Sequence, residues 1–131
     1  MIVIDASVLA NAVGDDGPDG EHARQELRDG RDLAAPDLVD VETTAVLRKR
    51  WQAKTVTASR FAEAIDDLED LTIERYPTLR FMRRAYELRD TLTAYDAAYV
   101  ALAETLGCEL LTADQRLSRA PGPRCPIRLL R

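Results

Sequence analysis

Short apolar runs alternate with helical segments along this chain, and that alternation confines it to α/β architectures with a mostly parallel sheet. Ile2-Val3-Ile4, Leu33-Ala34-Ala35, Leu71-Thr72-Ile73, Leu110-Leu111-Thr112 and Ile127-Arg128-Leu129 read as five strands. Between them, Val8, Leu9, Ala12 and Val13 fall at helical spacing, and further helices are expected over 21–29, 37–54, 58–70, 79–89, 93–106 and 114–119. Gly107 is the expected left-handed stop of the sixth of these seven. There are no repeats, linkers or low-complexity tracts, so residues 1–131 read as one domain, long enough to bury a core without disulfides or structural zinc. In open sheets of this kind ligands bind beyond the carboxyl ends of the strands. Asp5 lies at such an end, and Asp114 two residues past another.

Composition narrows the chemistry. His22 is the only histidine and sits in a charged stretch, which excludes a His-rich metal site and any mechanism needing two histidines. Cys108 and Cys125 are the only cysteines, spaced unlike a metal motif, and read as two reduced thiols. No apolar stretch is long enough to span a membrane, and the start at Met1 has no basic n-region, so a cytoplasmic protein is expected. The net charge is −5, but it is unevenly spread. Residues 1–78 carry 9 basic and 17 acidic side chains, and residues 79–131 carry 9 and 6. Acidity does not exclude a nucleic-acid substrate when part of it belongs to a cation site, but it argues against tight binding by a broad basic face.

Four acids stand out: Asp5, Glu42, Asp96 and Asp114. Each also has a local explanation, because Asp5 and Asp114 suit helix caps, Asp96 a capping-box start and Glu42 an early helical turn. Position separates them from ordinary caps. Asp96 shares a helix face with Tyr99, Val100 and Ala103, and Glu42 with Ala45 and Val46, faces expected to point inward, where an unpaired carboxylate is costly. Asp5 follows three apolar residues directly. Clustered carboxylates without Cys or His select hard, oxygen-loving cations, Mg²⁺ or Mn²⁺ rather than zinc or copper. Such ions activate a water for attack on a phosphodiester and stabilise the leaving oxygen. The remaining acids, such as Asp66, Asp67, Glu69 and Asp70, read as solvated surface.

Asp5-Ala6-Ser7, Glu42 early in a helix after Pro36-Asp37, the run from Tyr95 to Ala103 (YDAAYVALA) and Leu110-Leu111-Thr112-Ala113-Asp114 together resemble PIN-domain ribonucleases, and most nearly the VapC toxins of bacterial toxin–antitoxin pairs. The resemblance runs from Ile2 to the terminal strand. It implies a three-layer α/β sandwich with a five-stranded mostly parallel sheet, and Mg²⁺- or Mn²⁺-dependent endonucleolytic cleavage of RNA. The family's acids carry over onto Asp5, Glu42, Asp96 and Asp114, and its small hydroxyl positions near the metals onto Ser7 and Thr112. It also implies a homodimer, a VapB-like antitoxin that blocks the site, and no membrane. The acidic segment 15–20 is where this chain looks individual, and its charge bears on how a substrate approaches.

Arginine supplies 16 of the 18 basic residues and suits bidentate phosphate contacts. Arg116 and Arg119, just past Asp114, are placed for a backbone phosphate, and Arg80, Arg83 and Arg84 form a helical face that either guides RNA or is simply solvated. Trp51 and Tyr76 read as packing residues before base-stacking ones. Rival folds fare worse. A response-receiver domain needs a late lysine, and the only lysines are Lys49 and Lys54. A haloacid-dehalogenase-like phosphatase needs Asp-x-Asp where the chain has Asp5-Ala6-Ser7. A catalytically silent PIN-like interaction module is the remaining alternative.

Overall fold

The computed structural model describes residues 1–131. Five strands, β1 (Ile2–Ile4), β2 (Leu33–Pro36), β3 (Glu74–Tyr76), β4 (Leu110–Thr112) and β5 (Ile127–Leu129), form one parallel sheet in the order β3-β2-β1-β4-β5. Seven helices connect them: α1 (Ala6–Gly14), α2 (Pro18–Leu27), α3 (Val39–Gln52), α4 (Ala58–Asp70), α5 (Met82–Glu87), α6 (Ala94–Leu106) and α7 (Gln115–Arg119). α1 packs with α2, α3 and α4, while α6 packs with α5 and on β1, β2 and β4, so the sheet is covered on both faces. Every residue of β1, β2 and β4 is accordingly buried. Ala97, Ala98, Ala101 and Ala103 let α6 lie close to the sheet, and Leu102 and Tyr99 fill the space beside them.

Strand order places the site. From β1 the chain steps outward through β2 to β3, then crosses back to β4 on the other side of β1. The crevice at this reversal lies beyond the carboxyl ends of β1 and β4, where Asp5 and Asp114 stand. Helix starts there are set by side-chain caps: Asp5 accepts from Val8 N, Thr93 from Asp96 N and Asp114 from Arg116 N. The far end of the sheet is clamped by Arg128 of β5, which donates to Glu26 of α2 and to Glu109, while Arg31 bridges the same two carboxylates.

Four sequence expectations need correction. The third strand is not Leu71-Thr72-Ile73 but Glu74–Tyr76. It is an edge strand with exposed Glu74 and Arg75, so its pairing with β2 leaves no apolar signature, and Leu71 instead closes α4. The buried stripe of α3 is Val39, Thr43 and Leu47, while Val41 and Ala45 are exposed and Glu42 and Val46 sit half-buried at the margin. The segment 79–89 is a 3₁₀ turn, Thr78–Phe81, followed by the short α5, and α2 begins earlier than expected because Pro18 suits its first turn. Gly107 ends α6 at φ 65° as expected. His22 is exposed, Trp51 is largely exposed, Tyr76 is half-buried, and both cysteines are free thiols.

Candidate active site

Asp5 leaves β1 in extended backbone and caps α1. Its Oδ1 accepts the Ser7 hydroxyl at 2.5 Å and Val8 N at 3.1 Å, and its Oδ2 accepts the Thr112 hydroxyl. Both hydroxyls act in two directions. Ser7 Oγ also accepts Ala113 N at 2.9 Å, and Thr112 Oγ1 accepts Asp114 N at 3.0 Å. The Asp5 carboxylate is thereby wired to the turn that carries Asp114, 109 positions later in the chain. The wiring depends on register: Ile4 pairs with Leu111, so Asp5 and Thr112 come side by side. Asp5 is buried and has no basic partner, so burial pushes its carboxyl above the usual range, against the downward pull of these hydrogen bonds.

Glu42, one turn into α3, meets α6 through Tyr99. The Tyr99 ring is buried, and its hydroxyl donates to Glu42 Oε1 at 2.7 Å. Asp96 lies one turn before Tyr99 on the same helix, half-buried. Burial raises the Glu42 carboxyl, and the charges of Asp96 and Asp5 raise it further. Burial likewise raises Asp96, with Asp114 adding to the effect. Burial and the neighbouring Glu42 carboxylate hold the Tyr99 phenol firmly protonated. Asp5, Glu42 and Asp96 therefore sit in overlapping fields of like charge, to which Asp114 adds at Asp96, and the protein supplies little to offset them. The one basic group at hand is Arg116, whose Nη2 is 3.4 Å from Asp114 Oδ2 while the side chain stays 86% exposed.

Hydrogen bonds thus join Asp5, Ser7, Thr112 and the Asp114 turn, Glu42 and Asp96 lie close enough to feel these charges, and Arg116 stands beside Asp114. Arg119 stands at the other end of α7, exposed and without an ion-pair partner. The arrangement is an open cluster rather than a closed cage, because no three Asp, Glu, His or Cys side chains converge on one point. An all-oxygen, electron-rich and weakly neutralised cluster of this kind fits Mg²⁺ or Mn²⁺. Such ions retain several waters and bind through one or two carboxylates, so they need no dedicated protein cage.

Tyr99 is the site residue that apolar patterning conceals, because a tyrosine on an inward helix face reads as core. Its spacing, one turn after Asp96, is the one signal that points to it. Arg84 is not part of a free basic face: it donates to both oxygens of Glu104 and pairs with Glu87. The acidic segment 15–20 follows the C-terminal end of α1, away from Asp5 at its N-terminus. Two of its three acids are engaged, Asp15 by Gly17 N and Asp16 by Arg60, and Asp19 is exposed. A side chain at Gly20 would collide with the Asp15 carbonyl, so glycine is required for that turn to close.

Residues 2–123 match the family model of the PIN domain. VapC9, a ribonuclease of Mycobacterium tuberculosis, is 42% identical to this chain over 127 residues, covering 97% of this chain and 96% of VapC9. VapC1, a ribonuclease of the same organism, is 36% identical over 130 residues, covering 98% and 97%. The crystal structure of Mycobacterium tuberculosis VapC20, described as a sarcin–ricin loop cleaving toxin, is similar with a TM-score of 0.71 over 90% of this chain and 93% of that one, at 15% identity. That last likeness is one of fold, whereas the family match and the near full-length identity speak for descent: the chain belongs to the PIN-domain family, alongside the VapC ribonucleases.

Proposed function

We propose that this protein is the toxin of a toxin–antitoxin pair, an endoribonuclease that depends on Mg²⁺ or Mn²⁺ held by Asp5, Glu42, Asp96 and Asp114. The observation that carries the metal assignment is the hydroxyl wiring: Ser7 and Thr112 hold a buried carboxylate, unpaired with any base, next to the Asp114 turn. A buried carboxylate positioned by hydroxyls instead of arginine is prepared for a cation. When bound, the cation supplies Lewis acidity and an activated water.

The chain's own residues do the rest. Ser7 and Thr112 hold both oxygens of Asp5, and Tyr99 fixes the orientation of Glu42. Asp114 is held by Arg116 N and, loosely, by the Arg116 guanidinium. Arg116 is free to exchange that contact for an RNA phosphate, and Arg119 continues the basic rim along α7. The acids bring negative charge close to a polyanion, which is tolerable only with the cation between them. No helix is long and apolar enough to cross a membrane. A cytoplasmic homodimer, silenced by a VapB-like antitoxin that offers the cleft a basic side chain, completes the reading.

Purified protein is expected to cut RNA with Mg²⁺ or Mn²⁺, to stop in EDTA, and to lose activity in Asp5→Asn and Asp96→Asn with circular dichroism unchanged. Expression is expected to arrest growth, and the protein encoded beside it to relieve the arrest. Full cutting in EDTA would exclude the metal mechanism. Cation binding without any cutting would favour the silent interaction module.

A further inference from the structure

Eight of the 16 arginines have a carboxylate within ion-pair distance. Of the eight that do not, six fall in residues 79–131: Arg80, Arg83, Arg89, Arg119, Arg124 and Arg131, all exposed. The acids of residues 79–131 do little to balance them. Glu87, Glu104 and Glu109 are engaged by Arg84, Arg31 and Arg128, and Asp96 and Asp114 lie in the cleft, which leaves Asp90. Unbalanced positive charge on a chain of net charge −5 is therefore concentrated on the exposed side chains of residues 79–131.

That surface adjoins the cleft. The 3₁₀ turn before α5 is tied to the start of α3, where the Thr78 hydroxyl accepts Leu38 N. After α5 the chain passes directly to Thr93, the cap of the helix that carries Asp96. The β4–β5 connection, which continues from α7, is fastened to the same segment: Thr91 donates to the Pro121 carbonyl and Arg84 to the Gly122 carbonyl. Arg84 is thus a strut; the Arg80 and Arg83 guanidinium groups beside it make no side-chain hydrogen bond, and Arg89 donates one to the Tyr86 carbonyl and keeps its other donors.

In the middle of this face stands Tyr86, 56% exposed. The Arg89 guanidinium lies 4.1 Å from its ring centroid and that of Arg83 5.8 Å away. An exposed ring held between unpaired cations offers two contacts at once, a stacking surface and phosphate-binding forks. Single-stranded RNA is the polymer that needs both. An acidic protein segment would use the charges and leave the ring idle.

We propose that α5 and the β4–β5 connection form a track for single-stranded RNA leading away from the cleft, with Arg83 and Arg89 on phosphates and Tyr86 stacked on a base. The inference rests on RNA being the substrate, and it adds a binding surface that the cleavage chemistry does not require.

The test uses full-length Asp96→Asn protein, which does not cut, and a labelled single-stranded RNA of about 20 nucleotides, read by fluorescence anisotropy across a salt series. With Arg83→Gln/Arg89→Gln added, affinity is expected to fall about tenfold or more, and the slope of log K against log salt to flatten by about 1.4, roughly 0.7 per lost phosphate contact. Tyr86→Ala is expected to bind about tenfold more weakly at an unchanged slope, and Tyr86→Phe to bind like the parent. With the acids intact, the same variants should lose kcat/KM on long RNA but cut an oligonucleotide of about four nucleotides normally. Parent-like affinity and salt slope in folded variants would overturn the proposal. So would a change in solution mass with RNA affinity unaltered, which would make this a face between copies of the chain. If the unmutated protein neither binds nor cuts RNA, the functional reading itself fails; if it does both and the α5 variants match it, only the track fails.

Discussion

Thr112→Val replaces a hydroxyl with a methyl at nearly constant volume in a fully buried position, so it tests the hydroxyl wiring with little change in packing. Two bonds disappear: the one donated to Asp5 Oδ2 and the one accepted from Asp114 N. A bond to an ionised carboxylate contributes about 1.5–3 kcal/mol and one between neutral groups about 1 kcal/mol, so the expected loss is about 3 kcal/mol. With unfolding entropy near 2.1 cal/mol/K per residue, that lowers Tm by about 10 °C in a chain of 131 residues. Urea unfolding in EDTA at about pH 7.5 measures it, with an unchanged m-value confirming that the native state is intact. The deficit should shrink in mild acid, because a protonated Asp5 no longer requires two donors. Ser7→Ala should cost less, because Asp5 Oδ1 keeps Val8 N. A Thr112→Val protein within about 0.5 kcal/mol of wild type at neutral pH, the spread of an ordinary neutral substitution, would mean that the Thr112 hydroxyl does not hold Asp5.

Tyr99→Phe keeps the ring and removes the donor to Glu42; calorimetry is expected to show Mn²⁺ binding weakened about tenfold or more, the worth of a charged hydrogen bond, with cleavage at saturating Mn²⁺ largely preserved. Asp5, Glu42 and Asp96 all have carboxyls raised by folding, so their contribution to stability is complete below the unfolded-state values and is lost as pH rises through the raised ones. Without metal, Asp96→Asn should therefore gain on wild type as pH rises above the usual carboxylate range, by roughly 1.4 kcal/mol for each pKa unit of the shift it removes. Saturating Mn²⁺ should reverse the order, and thermal unfolding of both proteins over the same rise in pH checks the sign.

Asp5 and Asp96 stand out in the sequence because each interrupts an apolar pattern with a charge, Asp5 at the end of a strand run and Asp96 on the inward face of an apolar helix, whereas Glu42 lies at the margin of α3, beside the buried stripe of Val39, Thr43 and Leu47. The helix starts are legible for the related reason that Thr93, Asp114 and Asp5 are capping residue types. Other features depend on registers that local pattern does not encode. β3 pairs at an edge, so its exposed residues carry no apolar signal while the more apolar Leu71-Thr72-Ile73 just before it does. Thr112 is a site residue only because β4 pairs with β1 at Val3 and Leu110. Arg84 looks as free as Arg83 until Glu104 is seen across α6. Thr43, buried on α3 with its hydroxyl unpartnered, has no counterpart in the sequence reading.

Carboxylates from four separate segments are expected to share the same cations, and anomalous diffraction from crystals grown with Mn²⁺ would locate those ions. The expected result is a peak among Asp5, Glu42, Asp96 and Asp114, about 2.1 Å from the oxygens of one or two of them and otherwise surrounded by waters. A well-ordered crystal at saturating Mn²⁺ with no peak there, or with the Arg116 guanidinium filling the space, would contradict it.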